Sequence, residues 1–84
     1  MLGQNIPNPA QTYTTIKYGL FEDGSTKLWV TDILGRKVIS VLDDIVKSGS
    51  YSVQLNTSSL TAGNYFYILQ TPTAVLRKMM RIDR

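Results

Sequence analysis

The stretch Leu28-Trp29-Val30-Thr31-Asp32-Ile33-Leu34-Gly35-Arg36-Lys37-Val38 leaves this chain few ways to fold. Two alternating apolar runs flank Asp32-Ile33-Leu34-Gly35, a tetrapeptide with the chemistry of a tight reversal. Asp at the first turn position bonds the backbone two residues on. Gly at the fourth takes the left-handed conformation that a β-carbon resists. A type I turn followed by a left-handed residue closes a short hairpin. The segment therefore reads as strand, hairpin, strand.

The flanking sequence supplies more strands. Ile16, Tyr18 and Leu20 share one face of an extended Thr14–Leu20, and Glu22-Asp23-Gly24 turns the chain. From Ser25 to Asp32, Thr26, Leu28 and Val30 face one way, while Lys27, Trp29 and Thr31 face the other. The return arm runs from Lys37 to Leu42 and is expected to close in a turn at Asp43-Asp44. After Ser48-Gly49-Ser50, Tyr51, Val53 and Leu55 alternate with polar residues, as in a half-buried strand. Leu60 is expected to plug the core from the Thr57–Gly63 loop. Tyr65, Tyr67 and Leu69 alternate with apolar Phe66 and Ile68, so this strand is central or covered on both faces. Thr71-Pro72-Thr73 leads to a last strand, Val75–Ile82, with Arg77, Lys78 and Arg81 at its exposed positions. Gln4–Pro9 holds two prolines, which lets it lie along a sheet edge and bars it from a central ladder.

Six or seven short strands at this spacing specify an all-β fold: an antiparallel β-sandwich of the immunoglobulin-like, Greek-key kind, with about seven strands. Residues 1–12 form an extended leading segment and 13–84 a single sandwich domain. The expected core is Ile16, Tyr18, Leu28, Val30, Val38, Val41, Val53, Leu55, Tyr65, Tyr67 and Leu69. A small barrel is the competing architecture.

Composition excludes much chemistry. The chain has 84 residues and neither cysteine nor histidine, which removes disulfides, thiol nucleophiles, imidazole relays and the commonest transition-metal ligands. Asp43-Asp44 would face opposite sides if they lay in a strand, and no loop alternates Asp and Asn as a calcium site does. No enzyme activity, cofactor or metal is expected. The net charge of +3 gathers at Arg77, Lys78, Arg81 and Arg84 instead of forming a broad basic face, so nucleic acid is not an expected partner. No apolar run approaches the roughly 20 residues of a membrane-spanning helix.

Five blocks in order form a recognisable series: Gln4-Asn5-x-Pro7-Asn8-Pro9, Thr14–Tyr18, Asp32–Val38, Gly63-Asn64-Tyr65-Phe66-Tyr67 and Arg77-Lys78-Met79. The series closely resembles the type A C-terminal sorting domain of the type IX (Por) secretion system. Ile6, Ala10-Gln11-Thr12, Arg81 and Asp83-Arg84 depart from the usual pattern. The resemblance implies the tail of a larger exported bacterial protein, with its cargo N-terminal to the chain. It further implies passage through the periplasm, recognition by the outer-membrane shuttle and translocon, and removal by a cell-surface sortase. The protein would end at the cell surface or be secreted, without stable membrane insertion. Candidate recognition residues are Asp32, Ile33, Leu34, Gly35, Arg36, Gly63, Tyr65, Arg77, Lys78 and Met79. At the hairpin tip, Ile33 and Leu34 either fold over the open end of the sandwich or form part of a docking surface. Trp29, facing away from the core, is the candidate exposed aromatic. It also supports the competing reading, a surface adhesion or carbohydrate-binding sandwich that stacks sugars.

Overall fold

A computed structural model describes residues 1–84 as six strands and no helix. They are β1 (Tyr13–Leu20), β2 (Gly24–Thr31), β3 (Lys37–Val46), β4 (Gly49–Asn56), β5 (Gly63–Gln70) and β6 (Val75–Ile82). One sheet has the order β3-β2-β5-β6 and the other pairs β1 with β4, every named pair being antiparallel. The leading residues extend the smaller sheet. Leu2 bridges Tyr18, Ile6 bridges Thr15, and Gly3 donates to the Lys17 carbonyl at 2.8 Å. The count is thus six strands instead of about seven, with a broken ladder where a seventh would lie. Three strands against four in this order match the A-B-E and C′-C-F-G sheets of an immunoglobulin-type sandwich. Tyr65, near the start of β5, donates to the Thr61 carbonyl at 2.7 Å, the corner contact typical of that fold.

Period-two alternation builds the core. Ile16, Leu28, Val30, Tyr67 and Leu69 are fully enclosed between the sheets, and Leu60 plugs one end as its place in the loop predicts. Leu2, Ala10, Leu20, Met80 and Ile82 join them without having been expected. Tyr18 and Tyr51 face each other in register, their rings stacked at 5.5 Å.

The expected core changes most on β3. Val30 pairs with Ile39 and Leu28 with Leu42, while register shifts leave Val38 and Val41 without opposite residues. An extra residue in one strand reverses the alternation beyond it. Ile39 and Leu42 therefore turn inward and Val38 is exposed, while Val41, half-buried beside the bulge, still packs against the core as expected. The turn expected at Asp43-Asp44 is also absent. Both are exposed residues of β3, Asp43 opposite Lys27 and Asp44 opposite Thr26. The strand continues through Ile45-Val46 because its outer edge meets water, where charges are tolerated.

The leading segment wraps the β6 side of the sandwich. Beyond Ile6 it leaves the smaller sheet, and Ala10 then bridges Ile82 in parallel. Ala10 donates to the Arg81 carbonyl and accepts from the Asp83 amide, both at 2.8 Å. Asn8 Oδ1 accepts the Arg81 amide at 3.0 Å, and Gln4 Nε2 donates to the Met79 carbonyl at 2.9 Å. Beneath this strap Asn5 is buried: its backbone N–H donates to the Tyr67 hydroxyl, which in turn donates to the Gly3 carbonyl. The Asn5 amide group bonds Thr14 Oγ1 and the Pro7 carbonyl, each at 3.1 Å.

Candidate functional site

The hairpin tip is built by Asp32. Its Oδ1 accepts the amides of Leu34 at 2.9 Å and Arg36 at 3.0 Å, and its Oδ2 accepts Arg36 Nε at 2.8 Å. Gly35 donates to the Asp32 carbonyl and has φ +86°, the left-handed geometry that the motif predicts. Partial desolvation disfavours the Asp32 carboxylate, but the hydrogen bonds from Arg36 and Leu34 outweigh it. The pKa is held below the ordinary carboxylate value. Ile33 and Leu34 do not fold over the open end. They are 67% and 74% exposed, and Leu60 closes that end in their place.

Asp32, Arg36, Leu60, Thr61 and Tyr65 line one shallow depression, so the structure brings the hairpin motif and the Tyr65 block together. Gly63 opens β5 opposite Ile82. Tyr65 itself is buried, and its hydroxyl is committed to Thr61, so within this depression it supports the wall. Arg84, which belongs to none of the five sequence blocks, reaches the same end and donates to the carbonyls of Gln11, Thr57 and Leu60. Thr57 is fully buried there and donates from Oγ1 to the Gln11 carbonyl. A charged residue beside a polar loop gives no local signal of this clamp.

Trp29, Arg77 and Met79 lie on the outer face of the larger sheet. Trp29 is opposite Ile68 and Ile68 opposite Arg77; Phe66 is opposite Met79. The Arg77 guanidinium carbon sits 4.7 Å from the Phe66 ring centroid, and Lys37 Nζ sits 5.2 Å from that of Trp29. Cation–π pairs of this kind contribute about 0.5–1 kcal/mol at exposed sites. Lys37 also covers one face of the Trp29 ring. Lys78 is not among the exposed positions expected for it. It is half-buried opposite Tyr67, on the side of β6 that faces the other sheet, because the strand alternates Leu76, Lys78, Met80 and Ile82 inward. A charge pointing inward from an edge strand discourages unwanted pairing.

What this molecule presents is surface: an aromatic and cationic sheet face, an exposed hairpin tip and a strapped terminal strand. All three belong to one small antiparallel β-sandwich. A family model described as "Secretion system C-terminal sorting domain" matches residues 5–82. The chain belongs to this family, the sorting domains of type IX secretion. Membership makes it a C-terminal sorting signal for export with an N-terminal cargo, to secretion or to the cell surface. No curated protein and no solved structure matches the chain.

Proposed function

We propose that the domain acts by recognition and not by catalysis. In this reading the type IX outer-membrane shuttle and translocon bind the folded sandwich on β5, β6 and the strap, and a cell-surface sortase then separates it from its cargo. One observation carries the reading. The Gln4–Ala10 block and the Met79–Asp83 block lie at opposite ends of the sequence, yet hydrogen bonds between Gln4, Asn8 and Ala10 on one side and Met79, Arg81 and Asp83 on the other make them one surface. A receptor that needs both blocks is served by the folded domain and not by a linear tail. Arg77, Met79 and Arg81 stand outward beside that seam and offer cationic and apolar contacts.

Fusing the domain behind a fluorescent cargo, in a host that carries the secretion system, tests this. Removing residues 75–84 should abolish export. Arg77→Glu combined with Arg81→Glu should reduce it at least severalfold while leaving the far-UV dichroism of the isolated domain unchanged. Export that survives both changes refutes the reading. Retained export together with sugar binding that Trp29→Ala abolishes would favour the adhesion alternative.

A further inference from the structure

The sandwich is closed on one flank and open on the other. The strap seals the β6 side, whereas nothing lies beyond β4 in the smaller sheet. Thr57 donates to the Thr12 carbonyl, which places the odd-numbered residues of β4 in hydrogen-bonded pairs with β1. The N–H and C=O groups of Ser50, Ser52, Gln54 and Asn56 therefore point outward, and no backbone group of the chain meets them.

Edge strands are ordinarily blunted by bulges, prolines or charges. β3 carries two register shifts together with Lys37, Asp43 and Asp44, and β6 carries Arg77, Lys78 and the strap. β4, Gly-Ser-Tyr-Ser-Val-Gln-Leu-Asn, has no charge, no proline and no register shift.

A second, independent observation falls on the same flank. Of the apolar side chains that pack against the core but stay partly exposed, all except Leu76 lie on β3 and β4, among them Ile39, Leu42, Val46, Tyr51 and Val53. In four-stranded versions of the A-B-E sheet a further strand pairs with E, the place of β4 here. A strand laid there would satisfy the outward backbone groups and cover the inward face of β3.

We propose that the open flank between β3 and β4 is a docking cleft for one extended strand of a partner protein, added to the β4 edge. The occupant alternates apolar residues, which enter against Ile39, Leu42 and Val53, with polar residues on the outer face. Asp44 is exposed on the inward side of β3, near the Gly49 end of β4, and calls for a basic residue at that end of the strand. Main-chain pairing supplies affinity and the alternate side chains supply selectivity. The cleft is distinct from the β6 surface assigned to export, so either proposal can fail without the other.

The probe is the blocked peptide Thr-Val-Thr-Val-Thr-Lys, titrated into the whole 15N-labelled chain up to millimolar concentration. Expected are amide shifts confined to β3 and β4, with slowed hydrogen exchange at Ser50, Ser52 and Gln54. A peptide N-methylated at alternate residues should not bind. Asp44→Lys should weaken binding at least fivefold. Ser52→Pro, which deletes an outward N–H and leaves the ladder to β1 in place, should abolish it. An absence of shifts, or shifts mapping to β6, overturns the proposal. So does dimerisation of the chain alone that protects the same amides, because the occupant is then a second copy.

Discussion

At the residue scale, the hairpin tip shows how few atoms decide a reversal. One carboxylate accepts the Leu34 and Arg36 amides and the Arg36 guanidinium, and one glycine supplies φ +86°. A β-carbon built on Gly35 would meet nothing within 4 Å, so space does not demand glycine there; backbone conformation does. Gly35→Ala should therefore cost about 1–2 kcal/mol, the strain of a left-handed L-residue, measurable as a lower urea midpoint with an unchanged m-value. A neutral result would mean that the loop reaches another turn type without strain. Gly24 is the opposite case. It has φ +151°, and a β-carbon there would lie 2.6 Å from Pro72 Cγ, so both backbone and space exclude other residues.

At the element scale, the leading segment behaves as part of the sandwich. Tyr67 holds it from below, accepting the Asn5 amide at 2.9 Å and donating to the Gly3 carbonyl at 2.7 Å. Tyr67→Phe leaves a buried N–H and a carbonyl without a partner, which should cost about 1–3 kcal/mol. Hydrogen exchange should then show residues 3–6 and their β1 partners opening first, and uniform loss of protection would refute this role for the strap. The sequence announces the pieces of this element but not its wiring. Gln4, Pro7 and Pro9 mark an edge segment, whereas its bonds to Tyr67, Met79 and Arg81 span sixty residues or more. Local patterning carries no information about such partners. The Asp32–Gly35 turn was legible because its chemistry is complete within five residues. The β3 bulges were not, since a bulge exists only relative to the strand it faces. Asp43-Asp44 misled for a related reason: Asp is depleted in strands, yet an outer edge exposed to water accepts it. Among candidate site residues, sequence placed Trp29 and Arg77 on the outward face, and it put Lys78 there wrongly. It missed Arg84, whose contacts are all with distant backbone.

At the scale of the whole molecule, the absence of histidine fixes how stability responds to pH. No side chain has an ordinary pKa between those of the carboxylates and the tyrosines, so stability should be nearly flat between about pH 5 and 7. The shifted groups lie at the two extremes. Asp32 is held below its ordinary value of about 4, so its contribution is present above that value and is lost as pH falls through the folded pKa. Burial raises Tyr67 above its ordinary value of about 10, against the hydrogen bond from Asn5. Burial, and then repulsion from Tyr51, raises Tyr18 likewise. Both phenols are favoured neutral in the fold. Their contribution is complete below about pH 10 and is lost as pH rises through the higher folded values. Urea midpoints at about pH 3, 7 and 11 should therefore trace a plateau with two shoulders. Asp32→Asn should flatten the acid shoulder alone, while Tyr67→Phe should reduce the alkaline one. A steep change between about pH 5 and 7 would contradict this assignment, since no group of the chain ordinarily titrates there.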